Sequence, residues 1–308
     1  MYLSHMEFDK FVGNSDLPSL LQLNRVDLKL PSFKVTSFDR TPLFFYHIPK
    51  TAGLTFRNVL ITSMLFADRH WGRQDFPHNR EEIFSWNEEY SEHWFKLQHN
   101  FVSAWRPFGF HQNFEQKFNL VTIFREPFAR VVSRFRYKCY FGEFECSDAG
   151  FRQFFTMEKN CNHQTKLISG VGDTRPIYGD DLQTALLNLD QFYAYCTIGE
   201  VDDFLTELLS IYGLPNVVGQ RNNVSLEQYK LDWDKFKDEV LAANALDTQL
   251  YDYVVKNPKR PDVSLDRSQV SKIVNLTRER DQNDVFRCVC HEVEFLNKQI
   301  QQALESQS

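Results

Sequence analysis

Residues 44–56 read Phe-Phe-Tyr-His-Ile-Pro-Lys-Thr-Ala-Gly-Leu-Thr-Phe. An apolar, aromatic run breaks at Pro49. A lysine, a glycine and two threonines then open a segment with helical spacing. The pattern predicts a strand over 42–48, a tight turn over 49–53 and a helix over 54–65. A helix that starts directly after a strand presents unpaired N–H groups and the positive end of its dipole. That makes it a binding site for phosphate-like anions. Lys50 adds a mobile positive charge, and Thr51 and Thr55 add hydroxyls. A nucleotide triphosphatase loop carries its lysine after the glycines, as G-x-x-x-x-G-K-[ST]. Here Lys50 precedes Gly53, and the chain has no Gly-Lys dipeptide, which argues against ATP or GTP hydrolysis at this loop.

A second stretch, 119–137, repeats the logic. Leu120 to Phe124 is a short apolar, β-branched run, as in a buried parallel strand. Arg125 stands at its carboxyl end. Pro127 starts a helix, where its missing N–H costs nothing. Ser133 follows Arg125 by eight positions, about two helical turns. The planar fork of an arginine binds phosphate oxygens bidentately.

The Pro-Lys-Thr-x-Gly-x-Thr order resembles the 5′-phosphosulfate loop of sulfotransferases that use 3′-phosphoadenosine 5′-phosphosulfate (PAPS). The strand, Arg-[Asp/Glu]-Pro, helix, Ser order resembles the 3′-phosphate site of the same family. The resemblance implies that PAPS is the co-substrate and its 3′,5′-bisphosphate (PAP) the product. It implies that the co-substrate is held by Lys50, Thr51, Ala52, Gly53, Leu54, Thr55 and Phe56 at one end and by Arg125 and Ser133 at the other, without a metal. Leu54 departs from the family, which usually has a small hydroxyl residue there, so Thr55 carries the hydroxyl role. Downstream, Asn162-His163-Gln164-Thr165-Lys166-Leu167-Ile168-Ser169-Gly170 looks like the family's Asn-x-Gln-Thr-[Arg/Lys]-x-Leu-x-Gly segment. Ile198-Gly199-Glu200 after an apolar strand, and Asn244-Ala245-Leu246-Asp247 with Leu250-Tyr251, match later signatures. The resemblance runs from about residue 42 to about residue 256. It is to the branch that holds heparan and dermatan sulfate 2-O-sulfotransferases and many bacterial relatives.

In that family a histidine at the end of the next core strand, often in a Gly-His pair, takes the acceptor proton. The segment Trp94-Phe95-Lys96-Leu97-Gln98 reads as that strand, and it ends at His99, with Gln98 in place of the glycine. An imidazole with a pKa near neutrality suits a general base. His111, in Phe108-Gly109-Phe110-His111, is the rival. The interval to Arg125 implies an insertion around Ser103 to Arg106. Lys50 is placed to neutralise the bridging oxygen as it leaves, and His47 reads as a structural residue at the strand end.

The rest of the chain sets limits. Its 308 residues suffice for one large α/β domain. Alternating strands and helices argue for a P-loop-like parallel sheet flanked by helices, with a helix-rich C-terminal half. Residues 1–40 read as an N-terminal extension, partly helical near Leu17 to Leu23, and 41–308 as a single sulfotransferase domain. The aromatic and charged segment 66–93 reads as an irregular binding lid. Net charge is −6, and a protein that grips a long polyanion usually shows a basic surplus. That argues against nucleic acid and against a sulfated polysaccharide. No segment resembles a membrane span or a signal peptide, so a soluble, cytoplasmic protein is expected. The six cysteines read as free thiols, and Cys288-Val289-Cys290-His291 has poor spacing for one metal ion. The expected reaction is transfer of the sulfuryl group from PAPS to a hydroxyl of a soluble small-molecule or carrier-bound acceptor. The alternatives are a glycan O-sulfotransferase, a P-loop small-molecule kinase and a non-catalytic PAP-binding protein.

Overall fold

Leu43, Phe44, Phe45 and Tyr46 are all buried, so the first strand has no solvent face, as befits the middle of a parallel sheet. A computed structural model describes residues 41–71, 79–83, 95–214 and 231–261. Its centre is a five-stranded sheet in the order β2-β3-β1-β4-β5. The strands are β1 (Leu43–Tyr46), β2 (Asn79–Ile83), β3 (His99–Ala104), β4 (Asn119–Phe124) and β5 (Ala194–Thr197). Every pairing between them is parallel. The helices are α1 (Gly53–Trp71), α2 (Pro127–Tyr140), α3 (Asp148–Thr156), α4 (His163–Ser169), α5 (Gly179–Leu189), α6 (Val201–Ile211), α7 (Lys237–Ala243) and α8 (Ala245–Lys256).

Alternation along β1 divides the core. Leu43 and Phe45 pack with Phe56, Val59 and Leu60 of α1 and with Phe204 and Leu208 of α6. Phe44 and Tyr46 point the other way, to Leu167 of α4, Leu182 and Ala185 of α5 and Leu250 of α8. Helices therefore cover both faces, as the pattern predicts. A third cluster joins Val131 and Phe135 of α2 to Phe151 and Phe154 of α3 and Val240 of α7.

Some expectations are corrected. α1 runs on to Trp71, and Asn79–Ile83 is the edge strand β2, so the segment 66–93 is not wholly irregular. Phe95 and Lys96 are helical, and the second core strand is His99–Ala104 rather than 94–98. The alternating polar residues of 94–98 suit a half-exposed strand. β3 pairs with β2 and β1 along its two edges, and all six of its residues are buried, so neither of its faces is open. Ser103 and Ala104 belong to this strand and form no insertion. The extension 1–40, residues 72–78 and 84–93 of the expected lid and the Cys288–His291 segment lie outside the described residues. No helix among the described residues is long and apolar enough to cross a membrane. Cys139, Cys146, Cys161 and Cys196 are free thiols, and burial pushes Cys139 up to about 12.

The first helical position requires glycine for reasons of space. A Cβ on Gly53 would lie 2.2 Å from Cδ2 of His47, a buried ring stacked on Phe45. Gly53→Ala is expected to cost about 1–3 kcal/mol by overpacking. In a His47→Ala background the same change should cost far less. Urea unfolding of the two single variants and the double variant checks the coupling, and additive losses would show that the contact is not responsible.

Candidate active site

The register sets Tyr46 beside Ala104 of β3 and Thr122 of β4. The carboxyl ends of three strands thus open together, and the segments that follow them meet at that edge. Beyond β1 the chain turns through Pro49 and Lys50 into α1. Lys50 and Ala52 both hold left-handed backbone, with φ of 72° and 67°. Each such non-glycine residue costs on the order of 1–3 kcal/mol, and such strain concentrates at functional sites. Alternation of this kind turns successive N–H groups inward into an anion-binding concavity. The N–H of Phe56 bonds to the Ala52 carbonyl at 3.1 Å, closing the first turn of α1. The N–H groups just before it have no partner within the helix.

Of the side chains expected to hold the co-substrate here, two turn inward. The Thr51 hydroxyl donates to the Ile48 carbonyl at 2.8 Å and is fully buried. Phe56 packs its ring against Phe45 and Phe204, and its N–H is engaged. These two contribute at most backbone shape, because the turn needs an internal hydroxyl bond and the core needs the ring. Ala52, Leu54 and Thr55 are half-buried along the rim, and Gly53 is buried. The Lys50 ammonium lies 4.6 Å from the centre of the Tyr137 ring on α2. Burial, and then the charges of Arg134 and Arg125, push the Lys50 pKa down to about 8.

Arg125 leaves the end of β4 and donates from Nη1 to the Lys50 carbonyl at 3.1 Å, which ties the two anion-binding segments together. Its neighbour Glu126 is the cap of α2, accepting from the N–H groups of Phe128 at 3.0 Å and Ala129 at 2.6 Å. The start of α2 is therefore already occupied by a carboxylate. Arg125 is held by its own peptide. Gln164 accepts from the Arg125 N–H at 3.0 Å and donates to the Arg125 carbonyl at 2.9 Å. Asp247 in turn accepts from the N–H groups of Gln164 at 3.2 Å and Thr165 at 2.7 Å and from the Thr165 hydroxyl at 2.8 Å. Asn162, left-handed at φ 50°, accepts from the Asp247 N–H at 3.1 Å, and its own N–H donates to Asn244 at 2.8 Å. Ser133 is half-buried two turns into α2.

His99 is not where the sequence placed it. His99 is the first residue of β3, two positions before the partner of Leu43, and so lies at the amino edge of the sheet, opposite the loop. Its ring is buried edge-on to Phe114 and its N–H donates to Gln116 at 2.8 Å. The expected strand-end geometry fails because β3 begins, rather than ends, at this residue. His111 lies on the α4–α5 face. Tyr46 Oη accepts from the N–H groups of Gly109 at 3.2 Å and His111 at 3.4 Å, leaving its own hydrogen to donate to His111 Nδ1 at 2.5 Å. Burial lowers the His111 pKa. The residue that does follow the end of β3 is Trp105, whose indole N–H donates to His47 Nδ1 at 2.6 Å. Burial, then Arg57 and Lys50, hold the His47 pKa down at about 3.

The model of the sulfotransferase family matches residues 34–254. The chain belongs to that family. No curated protein matches it. Membership makes sulfuryl transfer its general chemistry and explains why the loop at Lys50 and the arginine after β4 sit together in a P-loop-like α/β fold. Sequence reasoning quoted the Gln164 and Asp247 motifs without seeing what they do; their polar spacing was the only available signal. It passed over Trp105 and Tyr137, whose roles depend on the register of β3 and on which face of α2 meets the loop. Among the described residues no group of acidic, histidine and cysteine side chains has the arrangement of a metal site.

Gln164 is fully buried, so Gln164→Leu leaves the Arg125 N–H and carbonyl without their partner. Two unsatisfied groups in this half-buried peptide, at about 1–3 kcal/mol each, predict a loss of about 2–6 kcal/mol. Urea denaturation measures it, and a loss below 1 kcal/mol, roughly one ordinary hydrogen bond, would show that the peptide is held by other means.

Proposed function

We propose that the chain transfers the sulfuryl group of PAPS to a hydroxyl of a small-molecule or carrier-bound acceptor and releases PAP. One observation carries the reading: the Arg125 guanidinium reaches the carbonyl of Lys50, so two cationic segments form one corner at the carboxyl edge of the sheet. In this reading the 5′-phosphosulfate lies against the N–H groups of the Lys50–Thr55 turn, with Ala52, Gly53, Leu54 and the Thr55 hydroxyl at its rim. The 3′-phosphate is held by Arg125 and Ser133. Neither Lys50 nor Arg125 forms an ion pair among the described residues, as groups reserved for a ligand should not.

The chemical step needs charge compensation on the leaving phosphate. Lys50 stands at that position, and charge on the bridging oxygen grows only as the S–O bond breaks, so its attraction strengthens in the transition state. A proton acceptor is a separate requirement. His99 is withdrawn from that role by its position. His111 keeps its Nδ1 filled by Tyr46, and Trp105, where the family resemblance places a histidine, donates but does not accept a proton. The catalytic proposal therefore rests on Lys50.

PAP should raise Tm through preferential binding to the folded chain, and ATP, which lacks a 3′-phosphate, should do so far less. Arg125→Ala should weaken PAP binding by about 1.5–3 kcal/mol, the worth of a charged hydrogen-bonded contact. Lys50→Ala should lower turnover more than it lowers PAPS affinity. Equal stabilisation by ATP with a magnesium requirement would sink the sulfotransferase reading in favour of a kinase.

The lowered pKa of Lys50 sets a pH dependence. The charged amine binds the anion, and it is lost as pH rises through about 8. PAP affinity should therefore fall from pH 7 to pH 9.5. The bound anion favours the protonated amine, so binding near pH 8.5 should take up protons. Calorimetry in two buffers of different ionisation enthalpy reads this uptake, and it should vanish in Lys50→Ala. A flat affinity across that range would mean that the lysine is not in contact with the 5′-phosphate of PAP.

A further inference from the structure

Beside the proposed nucleotide corner lies a second cleft of ≈ 150 Å³. This is too small for a whole ligand and large enough for one charged group. One wall is a stripe of α2 in which Arg130, Arg134 and Lys138 follow one another at four-residue spacing. The opposite wall brings Lys159, from the turn after α3, and His163, the first residue of α4. Glu143 and Asp173 line it as well. None of the residues that line the cleft is among those assigned to PAPS.

The charges in the cleft do not balance internally. Lys138 is taken by Glu143 at 2.6 Å, and Arg130 faces Asp247 at 3.7 Å and donates to the Asn160 carbonyl at 3.3 Å. Arg134 and Lys159 remain, with Asp173 as the one uncommitted carboxylate. Arg134 is half-buried, and it takes part in no ion pair or hydrogen bond among the described residues. It also stands in the field of Lys50 and of Arg130, both of whose pKa values it lowers. Burial lowers the Arg134 pKa, and of the two carboxylates whose charge acts on it Glu143 is held by Lys138 and Asp173 is exposed, so a desolvated guanidinium there still gains from an anion.

We propose that this cleft is an anion subsite for the acceptor, centred on Arg134 and Lys159, and that the acceptor carries a carboxylate, sulfate or phosphate group besides the hydroxyl that is sulfated. The inference rests on the sulfuryl-transfer reading. PAPS already meets Lys50 and the turn with its 5′ end and Arg125 and Ser133 with its 3′-phosphate. The anion that compensates Arg134 is then a different one. The subsite also reconciles a chain of net charge −6 with an anionic substrate, because the positive field is local to one stripe of α2.

Inorganic sulfate is the probe, titrated at low millimolar concentration and constant ionic strength against protein saturated with PAP. Wild type should show a further rise in Tm, and Arg134→Gln and Lys159→Gln should each lose it. PAP affinity in Arg134→Gln should stay within about threefold of wild type, whereas Arg125→Ala should lose about tenfold or more. Lys159 is exposed, so Lys159→Gln reads the site even if Arg134→Gln disturbs folding. A fall in PAP affinity in Arg134→Gln as large as that in Arg125→Ala would assign the cleft to the nucleotide and overturn the proposal. Absence of any sulfate response in PAP-loaded wild type would overturn it too. If wild type binds no PAP, the sulfuryl-transfer reading fails separately. Sulfate titration of Lys50→Ala, with and without Arg134→Gln, then tests the cleft alone: a response that depends on Arg134 upholds the subsite, and one that does not rejects it.

Discussion

The candidate site depends on one buried amide. Gln164 pairs with both the N–H and the carbonyl of Arg125, so the arginine that follows β4 has a fixed peptide while its side chain reaches across to the Lys50 carbonyl. The glutamine is itself fixed from the other side, since Asp247 accepts from its N–H and from Thr165. A carboxylate on α8 thus caps α4, and α4 orients the residue at the end of a strand. Asp247 is fully buried and faces Arg130. A buried charge in that position is expensive unless hydrogen bonds satisfy it; here two backbone N–H groups and a hydroxyl do so, and the Arg130 guanidinium at 3.7 Å supplies the counter-charge. The arrangement makes the anion corner a product of three elements distant in sequence.

The loop after β1 obeys a different constraint. Its left-handed residues are not glycines, and the one glycine, Gly53, is needed because the His47 ring fills the space a side chain would take. The strain at Lys50 and Ala52 is offset by the packing of Phe45, Phe56 and Phe204 below the turn. Trp105 adds a hydrogen bond to His47 from the neighbouring strand end. The same geometry crowds Lys50, Arg125 and Arg134 into one region, and burial, followed by the repulsion of the two arginines, lowers the pKa of Lys50. The electrostatic cost of assembling the corner is what an anionic ligand would relieve.

Much of the fold was legible because its signals are local. The aromatic run into Pro49 and Lys50 marked β1, and the β-branched run before Arg125 marked β4, since a strand buried on both faces reads as continuous apolar sequence. Pro127 marked the start of α2, where the structure has it. The second core strand was misplaced. Phe95, Lys96 and Leu97 imitate the alternation of a half-exposed strand, while the true strand includes polar His99, Asn100 and Ser103, all buried at an interior position of the sheet. That shift of a few residues moved the expected base from the carboxyl end of the sheet to the amino end.

The sequence by itself determined the family, the strand–turn–helix units at β1 and β4 and the residues at those two strand ends, because each is carried by about a dozen neighbouring positions. Only the tertiary structure decided which of those residues share a site. Lys50 meets Tyr137, Gln164 clasps Arg125, Trp105 follows the end of β3 and Arg134 comes into the field of Glu143 and Asp173. These relations are set by sheet register and by which face of a helix turns inward. A slip of one residue reverses a strand's two faces, and no local pattern encodes that choice.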